Sequence, residues 1–195
     1  MHFMLRPLSQ TVGSAGLKHR HCPVAVSALG HPDRGDDAVG GRVARALRGL
    51  LPADVPVQVH RADALSLLDH WSDCEAVVCI DAVAPLGQPG RIHRLDLSRD
   101  SLPPGGASTS SHALGLAETV ALARALHLAP RRIIVYAIEG RCFDAGAPLS
   151  PPVAAAVAAA ARAVAREVSG LRLYLNARPA SACAPTARPA EKRRD

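Results

Sequence analysis

Residues Leu29–Leu47, LGHPDRGDDAVGGRVARAL, decide how the chain is read. An apolar run, Pro23–Leu29, leads into this stretch and is broken by Gly30 and Pro32. Asp33, Asp36 and Asp37 then crowd one short loop. A helical pattern follows at once, with Val39, Val43, Leu47 and Leu50 on one face. The unit is strand, loop and helix, with acid at the turn. In an open α/β sheet, ligands sit beyond the carboxyl ends of the strands, where such a loop lies. A connecting loop with no further role more often carries Ser, Asn or a single Asp as a helix cap.

Outward from this unit, strands and helices alternate. Val24–Leu29 reads as a buried strand and Asp36–Leu51 as a helix closed by Pro52. Gly40 and Gly41 weaken that helix by about 1 kcal/mol each relative to Ala, which predicts a close approach of the helix to the sheet. Val55–His60 alternates as a strand, and Ala64–Trp71 is a short amphipathic helix. Ala76–Ile80 (AVVCI) is a continuous apolar run ending on Asp81, the pattern of a central buried strand. Gly87–Gly90 is a turn, and Arg91–Leu97 alternates like an edge strand. Leu102–Ser111 is a loop rich in Pro, Gly and Ser that leads into a helix, His112–Leu126. Arg132–Ile138 is a buried strand ending on Glu139. Pro151–Val168 is an Ala-rich helix with Pro in its first turn, where it is tolerated, and Gly170 closes it. The order predicts an α/β fold, a three-layer αβα sandwich around a mostly parallel twisted sheet.

The 195 residues allow one domain with loose ends, and no apolar run reaches the ~18 residues that cross a bilayer. The net charge of +6 is not spread evenly. Residues 1–23 carry three basic and no acidic residues, and residues 171–195 carry six basic and two acidic ones. The stretch between them holds 14 basic and 15 acidic residues, so the likeness to a nucleic-acid binder belongs to the ends. With 3% aromatic residues there is little on which bases could stack. We therefore expect neither a nucleic-acid nor a membrane partner. Five cysteines, Cys22, Cys74, Cys79, Cys142 and Cys183, form no Cys-x-x-Cys pair. With no signal-peptide core, this predicts a reduced, cytoplasmic protein. The expected organisation is a flexible extension over 1–22, a domain over 23–170 and a basic disordered tail over 171–195.

Three buried strands end in acid: Asp36 and Asp37 after the first, Asp81 after the second, Glu139 after the third. In a parallel sheet these ends share one edge, and His112, opening a helix after a long loop, can reach it. Two carboxylates and an imidazole meeting there make a three-ligand divalent-metal site with open positions. Each residue also has a simpler reading. Asp36 serves as an N-cap, worth about 0.5–2 kcal/mol, and Asp37 suits the helix dipole. Asp81 is harder to dismiss, because a carboxylate ending an apolar strand loses solvation and needs a partner. His112 fits a capped surface position and a ligand equally well, and Glu139 divides evenly between structure and function. His31, His60, His70, His93 and His127 read as surface or loop residues.

Taken together, these segments resemble the endopeptidases that mature nickel–iron hydrogenase large subunits. The resemblance rests on three motifs in order: Leu29–Gly30–His31 with Gly35–Asp36–Asp37–Ala38–Val39–Gly40; VVCIDAV with Asp81–Ala82; and Ser111–His112–Ala113–Leu114–Gly115–Leu116–Ala117. It spans roughly residues 24–168. His31 stands where that family usually has Asn, the turn is Ala-Leu-Gly rather than Gly-x-Gly, and Asp37 stands where some members have Glu. The resemblance implies that Asp37, Asp81 and His112 contact a metal. It also implies removal of a C-terminal extension from the large-subunit precursor once nickel is in place, so that nickel arrives with the substrate.

No Gly-x-Ser-x-Gly elbow and no His-Glu-x-x-His helix is present. These absences speak against a serine hydrolase and a standard zinc protease. The mechanism expected from the resemblance is metal-assisted hydrolysis in which Asp37, Asp81 and His112 hold or sense nickel. Asp36, Asp37, Asp81 and His112 form the expected catalytic set, with Asp36 either a general base or a shaper of the loop. A monomer acting on one folded partner is expected. A non-hydrolytic assembly factor that binds nickel or the precursor would use the same ligands. A nucleotide-binding module is disfavoured, since Asp36 and Asp37 occupy the helix N-terminus where a phosphate would sit.

Overall fold

The computed structural model describes residues 22–61, 64–98 and 116–177. Its elements in chain order are β1 (Cys22–Leu29), a 3₁₀ turn (Gly35–Ala38), α1 (Val39–Ala46), β2 (Val57–His60), α2 (Ala64–Trp71) and β3 (Cys74–Val83). They continue with β4 (Ile92–Asp96), α3 (Leu116–Ala125), β5 (Arg132–Glu139) and α4 (Pro151–Asn176). The five strands form one sheet in the order β2-β1-β3-β5-β4. All neighbours are parallel except β4, which runs antiparallel to β5 at the edge.

Side chains alternate across a strand, and here both sets are buried because helices cover both faces. Val24, Val26 and Ala28 of β1, Ala76, Val78 and Ile80 of β3, and Ile134 and Ile138 of β5 pack with α1 and α4. Val77 and Cys79 of β3 and Ile133 and Val135 of β5 pack on the other face with Leu67, Trp71, Val120 and Ala123 of α2 and α3. Burial on both sides is why AVVCI is uninterrupted. The expected layered architecture is therefore present, with β3 in the middle of the sheet.

β3 runs three residues past the expected end at Ile80, so that Asp81 lies within it, and two helix boundaries also differ from the sequence reading. The first helix is shorter than Asp36–Leu51. A 3₁₀ turn opens it, and the chain leaves α1 after Ala46 through turns that place Gly49 at φ +83°. The last helix does not stop at Gly170 but runs to Asn176. Leu171 and Leu175 continue the buried stripe of Val164 and Val168. Burying a leucine is worth roughly 1.5–3 kcal/mol, more than a mid-helix glycine costs. Arg172 also anchors this last segment through a two-pronged contact with Asp54 (2.9 and 2.8 Å).

Candidate active site

The parallel strands bring the ends of β1, β3 and β5 to one edge of the sheet. Gly30, just after β1, has φ +130°, and a Cβ there would run into the Asp37 carbonyl. The chain folds back on itself at this point. Gly40, in the first turn of α1, has the Leu29 and Ile80 carbonyls where a side chain would go. Its missing side chain lets α1 settle onto the ends of β1 and β3, as the sequence predicts. Gly41 is different: a Cβ there would meet only Val59, at an ordinary 3.8 Å. The prediction of close approach holds for Gly40 and fails for Gly41.

This packing sets Asp36 and Asp37, neighbours in sequence, to different tasks. Both are buried. Asp36 Oδ2 accepts the Arg141 amide (2.7 Å), the Cys142 amide (3.0 Å) and the Ser150 hydroxyl (2.8 Å), while Oδ1 accepts the Ser150 amide (2.6 Å). Burial alone would raise its pKa, yet the amides of Ser150, Arg141 and Cys142 together hold the carboxyl below its ordinary value. The cap reading of Asp36 is thus corrected. The residues at the N-terminal caps of the 3₁₀ turn and α1 are Arg34 and Ala38, neither with a side-chain capping bond. Asp36 instead ties the acidic turn to the loop before α4, more than 100 residues away in sequence. That tie is invisible to local pattern, because its partners are distant backbone amides.

Asp37 turns the other way, with Oδ2 accepting the His31 amide (2.9 Å). Asp81 lies near the end of β3, opposite Ala137 of β5, and is 5% exposed. Its Oδ1 accepts the Ala82 amide (2.8 Å). Burial, and then repulsion by the Asp37 carboxylate, push the Asp81 carboxyl up to about 7 against the lowering effect of the Ala82 amide. The structure therefore places Asp37 and Asp81 within electrostatic reach in one dry corner. His112 lies outside the described residues, as does the loop before it. Among the described residues, no group of three or more His, Cys, Asp and Glu side chains is placed to hold a metal.

Glu139 is separate from this pair. Its Oε1 accepts the Leu86 amide (2.7 Å) and the Gln88 amide, and Oε2 faces His93 Nε2 at 3.7 Å. It fixes the turn between β3 and β4, which settles its role on the structural side. The reading of His60 and His70 as surface residues is also corrected. His60 is buried, with Nδ1 3.0 Å from Ser66 Oγ and Nε2 3.2 Å from His70 Nδ1. His70 Nδ1 lies 3.3 Å from Ser27 Oγ, which accepts the Trp71 indole N–H at 3.1 Å. The clue was Ser27, a polar residue inside an apolar strand that must find a partner when buried.

The family model described as hydrogenase maturation protease matches residues 62–167. The chain belongs to the hydrogenase maturation protease family. The matched span contains Asp81 and His112, while the acidic turn lies before it. Membership makes the chain a peptidase of hydrogenase maturation. Solved structures carry the same fold. The hydrogenase maturating endopeptidase HybD from E. coli aligns at 22% identity, covering 78% of this chain and 93% of its own, with a TM-score of 0.63. The nickel–iron hydrogenase maturation protease HybD from Thermococcus kodakarensis aligns at 25% identity over 75% of this chain and 99% of its own, with a TM-score of 0.62. HycI from the same organism aligns at 19% identity over 76% and 93% of the two chains, with a TM-score of 0.61. A sequence comparison with curated proteins finds no match.

Proposed function

We propose that this peptidase removes the C-terminal extension of a nickel-loaded nickel–iron hydrogenase large-subunit precursor, and that Asp37, Asp81 and His112 recognise the nickel carried by that substrate. The observation that carries the reading is the Asp37–Asp81 pair. Two buried carboxylates that repel one another attract a cation more strongly than either alone, and oxygen and imidazole donors suit a divalent metal. Bound there, the substrate's nickel would polarise the scissile carbonyl or acidify a water.

This chain's own residues supply the rest. A cation there would favour the ionised form of Asp81, whose carboxyl burial raises to about 7, and Asp37 would supply the second carboxylate. The Ala82 and His31 amides hold the two carboxylates in orientation. Asp36 has its oxygens committed to four internal donors, which favours shaping of the loop over the role of general base. None of the described helices is long and apolar enough to cross a membrane. We propose action in the cytoplasm as a monomer, on one folded precursor.

The test is the intact mass of purified precursor, nickel-loaded and nickel-free, after incubation with the chain. The expected result is loss of the extension from the nickel-loaded form, and none with Asp81→Ala or His112→Ala. Binding of the precursor with no change of mass would favour a non-hydrolytic assembly factor instead.

A further inference from the structure

Two clefts open on the α1 side of the sheet and meet at Gly41. The first, about 490 Å³, starts at the Gly30–Asp33 turn and passes Arg42 and Arg61. The second, about 580 Å³, continues between α1 and β2 past Arg48, Leu51 and Val57. Gly41, Arg45 and Val59 line both, so together they form one trough. Each part is the size of an ordinary ligand pocket. One end lies against the loop that holds Asp37.

Three features point to an extended chain as the occupant. First, β2 is the end strand of the sheet, and its outer edge has no strand partner among the described residues. Val59 on this strand is 54% exposed. An exposed edge with an apolar side chain is a template for one more strand. Second, glycine weakens a helix interior, yet nothing in the packing requires one at 41, unlike at 40. Its bare backbone leaves the trough open at its junction. Third, Arg42, Arg45, Arg48 and Arg61 are exposed along the trough, with Asp33 the only acid lining it. None of the four arginines forms an ion pair with another described residue. The positive rim disfavours the chain's own basic end segments, residues 1–21 and 178–195. It also disfavours a second copy, whose arginines would face these.

We infer that this trough holds the C-terminal extension of the precursor, paired in extended form to the edge of β2 with its terminal carboxylate among the arginines. The inference rests on the proposed function, which supplies a peptide that always ends in a carboxylate. The four residues of β2 span about 13 Å, enough to register a short extended segment leading away from the Asp37 turn.

The experiment titrates the full-length chain against a fluorescein-labelled synthetic peptide of the extension, by anisotropy. The same peptide with an amidated C-terminus and a scrambled peptide serve as comparisons. Wild-type chain is expected to bind the free-acid peptide at least fivefold more tightly than the amide, and less tightly as salt rises. Arg45→Glu/Arg48→Glu is expected to weaken binding at least tenfold. Gly41→Gln, which fills the junction while favouring the helix, is expected to do the same. These variants should also lower kcat/KM on nickel-loaded precursor about tenfold, with thermal unfolding confirming that they fold. Peptide affinity and cleavage unchanged in both variants would overturn the inference while leaving the function standing. Failure of wild-type chain to shorten the precursor would overturn the function, while the peptide titration would still read the trough. Tighter peptide binding after deletion of residues 178–195 would assign the trough to the chain's own tail. Loss of a dimer in Arg45→Glu/Arg48→Glu, seen by sedimentation, would assign it to a second copy. Either result would overturn the inference.

Discussion

At the scale of single residues, Asp36 accepts four hydrogen bonds in a buried position, and Asn in its place can accept only on one side. The Asn amide would also face backbone donors. Asp36→Asn should therefore lower stability by about 2–4 kcal/mol, since a buried charged network is being broken. Urea denaturation at neutral pH reads this directly, and an unchanged midpoint would show the ties to Arg141, Cys142 and Ser150 to be idle. The folded pKa of Asp36 lies below its ordinary 3.8. Its contribution is thus complete above about pH 4 and is lost as the pH falls through the folded value. The sequence made the acidic pair visible and left its division of labour open, because the partners of Asp36 are distant backbone amides. Asp81 was legible for a physical reason: a carboxylate at the end of an apolar strand has few ways to be satisfied.

At the scale of elements, Gly40 in α1 and Gly170 in α4 separate close packing from solvent exposure. Gly40 faces the carbonyls of Leu29 and Ile80, so Gly40→Ala must lift the start of α1 from the sheet. We expect about 2–4 kcal/mol of destabilisation and a marked fall in peptidase activity, as overpacking at backbone allows little relaxation. Gly170 has nothing within 4 Å of a built Cβ, and Gly170→Ala should stabilise by about 0.5–1 kcal/mol through helix propensity. Differential scanning of both variants is the check, and shifts of the same sign would contradict it. The extent of α4 was the element least legible from sequence. Gly170 resembles a terminator, and only the burial of Leu171 and Leu175 against the core overrides it. Where both faces are apolar the strands were legible, β5 to within one residue, while β3 begins two residues before and ends three residues after the expected Ala76–Ile80. The 3₁₀ opening of α1 was not, because it depends on the tie between Asp36 and the loop before α4.

At the scale of the whole molecule, two apolar layers enclose the sheet, and one polar network is buried in the α2 layer. Burial, with a smaller push from His60, holds the His70 pKa down at about 4 from 6.5. The unfolded chain takes up this proton between pH 6.5 and about 4 while the folded chain does not. The stability is complete above that window and falls as the pH drops through it. The urea midpoint should be lower at pH 5 than at pH 7.5, and His70→Gln should flatten the difference. Equal slopes in the two proteins would remove His70 as the cause. The layered fold was legible in the alternation of strands and helices, and it carries the acidic turn and Asp81 to one edge. The central claim is that Asp37 and Asp81 act there as one unit on a nickel-loaded precursor. The most direct test is the single-turnover cleavage rate of that precursor, by mass spectrometry, with wild-type chain, Asp37→Asn, Asp81→Asn and the double variant. The prediction is a loss of at least 100-fold in each single variant and no further loss in the double, as residues acting together give. Single variants that cleave within twofold of wild type would contradict it.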